Sequence, residues 1–282
     1  MTNLNLYGTI GYTILQNSKQ KIMIFADKHD KLPYCTNKTD IADWFKEKMH
    51  SSKILLEEVP RDSVNLEELW TDSEHTQDLK KLFLDNPEKI NGLDIRPLLI
   101  PWSWELANGN ESEYKISMGK YLKKLNLFFC LKNAYLVNKM PNYSVGKLRG
   151  SKLGNHFLQI KKLFKKILET NSGFLPLSVI TVKFINTGFL ESINKILDLI
   201  MEWYICACIQ LSENTSIIVH TGLAHSEQVI GLLVNYYDYD LVMEKGINKL
   251  TQVYTNQING CMGIPTDTSK QFGGYEKIFI KL

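Results

Sequence analysis

Short apolar runs at residues 21–26 (KIMIFA), 54–56 (ILL), 92–95 (GLDI) and 216–219 (SIIV) alternate with longer stretches whose apolar residues recur every three or four positions. Brief runs bounded by turn formers read as buried strands, and the longer recurrence reads as amphipathic helices. Residues 5–14 and 21–26 are expected to pair as strands across the polar turn Gln16-Asn17-Ser18-Lys19. A helix is expected over 40–50, where Ile41, Trp44, Phe45 and Met49 share a face, and another over 75–84. Pro60 ends a strand over 54–59, after which Asp62 or Ser63 caps a helix running to Trp70. Further helices are expected over 114–139, 153–170, 189–211 and 224–236. Strands over 241–244 and 275–282 close the chain.

Strands that alternate with helices predict an α/β fold, a three-layer domain with a largely parallel central sheet. Charge sharpens this picture. Residues 1–114 carry a net −6, residues 115–166 a net +13 with no acidic residue, and residues 167–282 a net −4. The expected organisation is therefore an α/β catalytic-like domain from 1–114 and 191–282, with residues 115–190 as a basic helical insertion. Lys120, Lys123 and Lys124, and then Lys161, Lys162, Lys165 and Lys166, recur at helical spacing. Among the interleaved aromatics, most of Tyr121, Phe128, Phe129, Tyr135, Phe157 and Phe164 are expected in a core. An anionic partner at 115–166 is one reading of the lysines: nucleic acid, an anionic membrane surface or a phosphorylated substrate. The other is neutralisation by the acidic remainder of the chain.

The 5 cysteines (Cys35, Cys130, Cys206, Cys208, Cys261) are odd in number and lack CxxC spacing. That pattern excludes a zinc finger and a disulfide framework and favours a reducing compartment. Cys206 and Cys208 lie in an apolar helical stretch and are expected to be core. The amino terminus lacks a basic start followed by an apolar run, and the most apolar stretches are broken by charge or proline. The expectation is a cytoplasmic protein without a membrane span.

Candidate chemistry collects where the apolar runs end. Residues 21–26 lead into Asp27-Lys28-His29-Asp30, and 216–219 lead into His220-Thr221-Gly222-Leu223-Ala224-His225. The run 54–56 ends in Glu57-Glu58, and 92–95 carries Asp94 and continues to Arg96. In an open α/β sheet the carboxyl ends of the strands converge on one crevice, where ligands bind. Carboxylates beside His29 raise its basicity or join it on a metal. Gly222 permits a sharp strand-to-helix turn that sets His225 in the first helical turn, near backbone N–H groups. Glu57 and Glu58 are neighbours on a strand end and point to opposite faces, so one of them meets the crevice. Asp94 and Arg96 share a side of their strand by alternation, either as a salt bridge or with Arg96 gripping a substrate oxyanion.

The order Ala26-Asp27-Lys28-His29, Leu55-Leu56-Glu57-Glu58, Gly92-Leu93-Asp94-Ile95-Arg96 and Gly222-Leu223-Ala224-His225 resembles the erythromycin-esterase/ChaN-like and TraB/Tiki superfamily. The resemblance implies an α/β hydrolase acting on an amide or ester bond of a small-molecule or peptide substrate. It implies a centre of His29, Glu57 (or Glu58) and His225, supported by Asp94 and Arg96. His29, Glu57 and His225 would either hold one divalent metal ion, with Asp27 beside His29 as a further ligand, or activate water directly, and the basic insert would select an anionic substrate. Ala26 stands where the first motif often has glycine.

Two other readings compete. Asp27-x-His29, Gly154-Asn155-His156 and His220/His225 resemble the ordered blocks of calcineurin-like metallophosphatases, but no Gly-Asp-x-x-Asp follows the first block. A non-catalytic scaffold that binds a polyanion through 115–166 is the alternative from a different class, though no recognised nucleic-acid-binding motif is present.

Overall fold

The structure is a computed structural model that describes residues 3–60, 73–100, 111–130, 150–172 and 187–272. The helix expected from 62 to 70, the closing strand at 275–282 and the part of the 114–139 helix beyond 130 lie outside the described residues. Those residues form two compact units. One takes 3–58, 73–92 and 213–272; the other takes 59–60 together with what is described between 93 and 212.

The first unit is a three-layer α/β domain. Its main sheet has six strands in the order β6-β5-β7-β3-β2-β8. These are β2 (Gly11–Gln16), β3 (Lys21–Asp27), β5 (Lys53–Leu56), β6 (Ile90–Gly92), β7 (Ser216–Gly222) and β8 (Asp240–Gly246). The four strands from β6 to β3 run parallel, and β2 and β8 close the sheet antiparallel. A second, three-stranded sheet sets β1 (Asn3–Tyr7) between β4 (Thr39–Asp40) and β9 (Cys261–Pro265).

Residues 5–14 thus form two strands in different sheets. Gly8, with φ of 109°, breaks them apart. Only glycine adopts that angle readily, and a Cβ there would stand 2.4 Å from Ile41 Cγ2. β9 is not expected from the sequence, because CMGIP is too short and too mixed to show a strand period.

Strand alternation splits the β3 side chains between the two faces of the main sheet. On one face Phe25 packs edge-on against Trp44 (5.5 Å) and tilted against Phe45 (5.6 Å). Those rings belong to α1 (Ile41–Lys48), whose buried positions Ile41, Trp44 and Phe45 recur at helical spacing. On the other face Ala26 clusters with Leu223, the first residue of α7 (Leu223–Asn235), which also buries Val229 and Leu233. Helix α2 (Glu74–Asp85) packs beside α1 and buries Leu79, Leu82 and Phe83. Each fully buried side chain of this size contributes about 1.5–3 kcal/mol.

The second unit is helical: α3 (Arg96–Leu99), α4 (Glu111–Phe129), α5 (Lys152–Ser172) and α6 (Thr187–Gln210). Phe128, Phe129, Phe157, Phe164 and Trp203 form its aromatic core. The Trp203 indole N–H donates to Leu153 O at 3.0 Å. The expected core role of these phenylalanines and of Cys206 and Cys208 is what the burial shows.

The strand expected over 92–95 stops at Gly92. Pro97 is suited to the first helical turn, and the chain turns at Asp94–Ile95 into α3 instead. Asp94 and Arg96 therefore do not share a strand face. Asp94 accepts from the Arg96 backbone N–H (3.1 Å) and pairs with its guanidinium, which also reaches Asp198 Oδ1 at 2.8 Å.

Cys35 and Cys261, 226 positions apart in sequence with Cα atoms 5.8 Å apart, form a disulfide. One bond is not a framework. No helix of the described residues is long and apolar enough to cross a membrane.

Candidate functional site

Three parallel strands release the site residues. The last residue of β3, Asp27, lies beside Gly222 at the end of β7. Leu56, at the end of β5, lies beside His220 on the other side of β7, and the Glu57 N–H extends that ladder by donating to His220 O at 3.0 Å. His29 and Glu57, 28 positions apart, thereby flank the β7 terminus. His225 reaches the same point as the third residue of α7.

Glu57 is the hub. Its Oε2 lies 3.6 Å from His29 Nε2 and its Oε1 lies 3.9 Å from His225 Nε2. The Gly222 backbone N–H, at the amino end of α7, donates to Oε2. A helix N-terminus is a seat that suits an anion. Glu58 is buried too and lines the small pocket shared by His29, Leu56, Glu57, Thr76, Leu79 and His220. Of the two acids, Glu57 is the one between the imidazoles.

The sequence leads one to expect at Gly222 a turn that only glycine makes easily. Its φ and ψ are −55° and 147°, open to any residue. Space is what requires glycine: a Cβ would stand 2.7 Å from His29 Nε2 and 3.3 Å from Glu57 Oε2. His29, in contrast, has φ of 59°, a left-handed backbone uncommon outside glycine and asparagine. That conformation turns its ring back over the strand end, so that Nδ1 meets Asp27 Oδ2 at 3.0 Å while Nε2 faces Glu57.

Asp27 is buried and joins a second imidazole. His75, on α2, approaches its Oδ1 at 2.9 Å, and the Lys28 backbone N–H donates to the same oxygen at 2.7 Å. Burial would raise the Asp27 pKa, but the bonds to His29 and His75 outweigh it and hold the carboxyl far below its usual range. Burial would likewise lower His29, but Asp27 and Glu57 outweigh it and push the pKa from 6.5 up to about 10. His29 is therefore an imidazolium at neutral pH. His220 is different: burial lowers its pKa, and its neutral ring approaches Gly8 O through Nε2 at 3.2 Å. Because a carbonyl only accepts, Nε2 carries the proton.

The structure thus brings Asp27, His29, Glu57 and His225 together in the α/β unit. Asp94 and Arg96 belong to the helical unit, where they pair with each other and with Asp198. Gly154 and His156 also lie in that unit, within α5, and His156 is buried. His75 is the residue that sequence reasoning missed. Its only signal was a position in the first turn of a helix after Ser73, which nothing linked to Asp27.

Among the described residues, no three His, Cys, Asp or Glu side chains are grouped so as to hold a metal ion. Of the ligand set that the resemblance implies, Asp27 is engaged by His29 and His75, while His29 Nε2 and His225 Nε2 both face Glu57. What the arrangement offers is a protonated imidazole beside a buried carboxylate, the one held by Asp27 and the other by the Gly222 N–H. Compared with known proteins, the chain matches no family model, no curated protein and no solved structure.

Proposed function

We propose that the chain is a hydrolase of amide or ester bonds, as its strand-end motifs resemble, with His29 and Glu57 as the acid and the base. The observation that carries this reading is the seat of Glu57 between two imidazole Nε2 atoms, at 3.6 and 3.9 Å. Both separations exceed a direct hydrogen bond and suit an oxygen held between the partners. Glu57 takes a proton from water as the water oxygen attacks the carbonyl carbon. His29, protonated under the hold of Asp27, gives its proton to the departing oxygen or nitrogen as the acyl bond breaks. The proton on Glu57 then returns to His29 across the same gap, which resets both groups. His225 steadies the other Glu57 oxygen. Arg96 has no part in these steps, because Asp94 and Asp198 already balance its charge.

Purified chain, assayed on p-nitrophenyl esters and on aminoacyl p-nitroanilides, tests the reading. Glu57→Gln and His29→Ala should each lower turnover by roughly a hundredfold or more. A wild-type chain inactive on both panels, or variants as active as wild type, overturns it. Metal analysis of the same protein, before and after His225→Ala, tests separately the implied ion.

A second reading is favoured by one observation: Lys152, Lys162, Lys165 and Lys166 are exposed along α5. In it the helical unit binds a polyanion and the α/β unit is a scaffold. Replacing Lys162, Lys165 and Lys166 with Glu would then abolish function while His29→Ala leaves it intact; the hydrolase requires the reverse for its basal activity.

A further inference from the structure

We infer that His75 is a positioning residue for His29, acting through Asp27; the inference rests on the reading of His29 as the acid of the site. A carboxylate turns about a single bond, so fixing one oxygen fixes the direction of the other. Asp27 Oδ1 is fixed twice, by His75 Nε2 at 2.9 Å and by the Lys28 N–H at 2.7 Å. Its Oδ2 is left aimed at His29 Nδ1, 3.0 Å away. A carboxylate oxygen accepts, so His75 Nε2 carries its proton toward Oδ1, while His29 Nδ1 stands in ion-pair contact with Oδ2. One carboxylate thus aligns two imidazoles, and the ring that meets Glu57 takes its orientation from a ring that does not.

His75 is itself held rigidly. It is 3% exposed, the Tyr7 ring meets it edge-on at 6.2 Å, and the Gly8 backbone lies so close that a Cβ there would stand 3.2 Å from His75 Cβ. Its Nδ1 is buried without a hydrogen-bond partner among the described residues. An imidazole in so apolar a seat is costly unless its polar atoms are satisfied. The bond to Asp27 is the polar contact that histidine makes there and an apolar residue would not. Partners that orient a working imidazole in this way commonly change function by ten- to a hundredfold when removed.

The test compares wild type, His75→Gln and His75→Ala in the full chain. Gln presents an N–H that reaches Asp27 as Nε2 does; Ala presents none. With histidine nitrogens labelled, the His29 Nδ1–H proton should resonate far downfield and exchange slowly in wild type and His75→Gln. In His75→Ala it should be lost to exchange. On p-nitrophenyl acetate, kcat should fall about tenfold to a hundredfold in His75→Ala. KM should stay within about twofold, and His75→Gln should restore kcat. A fast-exchanging His29 Nδ1–H in wild type, a slowly exchanging one in His75→Ala, or a Gln variant as impaired as Ala overturns the inference. If His75→Ala fails to fold, wild type and His75→Gln still decide it by the same resonance. That resonance needs no substrate, so an inactive wild type would defeat the hydrolase reading while the spectra still decide the role of His75.

Discussion

A methyl group added at Gly222 would place a carbon 2.7 Å from His29 Nε2, closer than van der Waals packing allows, so Gly222→Ala must move the imidazole or part the strand end. The backbone angles accept alanine, and the overpacking should cost only about 1–3 kcal/mol, read as a shift in the urea midpoint. On the hydrolase reading proposed above, ester turnover should fall much further than stability, because the displaced ring is the proposed proton donor. The same ring leaves a mark in the pH dependence of folding. His29 has its pKa raised from 6.5 to about 10, so its stabilisation is complete below 6.5 and is lost as pH rises through about 10. Urea midpoints should therefore decline between those values, and His29→Gln should flatten the decline. Asp27 acts at the other end: its lowered pKa gives stability that is present above the ordinary 3.8 and lost as pH falls below it. The residues at the strand ends were legible because an apolar run that stops at a charged residue marks a strand tip in any parallel sheet. His75 was not legible, since its link to Asp27 spans 48 positions and depends on how α2 packs.

Among elements, the sequence period sufficed for α1, α2, α5, α6 and α7, whose apolar residues recur every three or four positions over eight residues or more. Failures came where a single residue overrode the pattern. Gly8 divides one apparent strand between two sheets, and Pro97 turns a strand end into the start of a helix. Helix α1 owes its place to packing: Trp44 is 1% exposed against Phe25, so Trp44→Ala should destabilise the fold by about 3–5 kcal/mol in urea denaturation. The Cys35–Cys261 bond ties β9 to the loop that follows His29. Gly260 reinforces that approach, since a Cβ there would lie 1.5 Å from Pro33 O. Reducing the bond should lower stability by about 2–4 kcal/mol, seen as a lower melting temperature in dithiothreitol than without it, with no such difference in Cys35→Ser.

At the scale of the molecule, the charge partition in the sequence coincides with a change of architecture: the described parts of the acid-free stretch, 115–130 and 150–166, fall inside the helical unit. Composition could not reveal whether those lysines meet a partner. If α5 binds duplex DNA, replacing Lys162, Lys165 and Lys166 with Glu should reduce the salt dependence of binding by about 0.9 in log–log slope for each phosphate no longer neutralised, measured by fluorescence anisotropy across a salt series. The main sheet also joins parts of the chain made at very different times. Strand β3 pairs along its length with β7, Lys21 against Ser216 through Asp27 against Gly222. During synthesis β3 can pair at once with β2, but the ribosome must deliver nearly two hundred residues, roughly ten to forty seconds of elongation, before β3 meets β7. Through that interval the nascent β3 has an open, apolar edge, and a chaperone that covers such edges is the expected companion of this protein's birth.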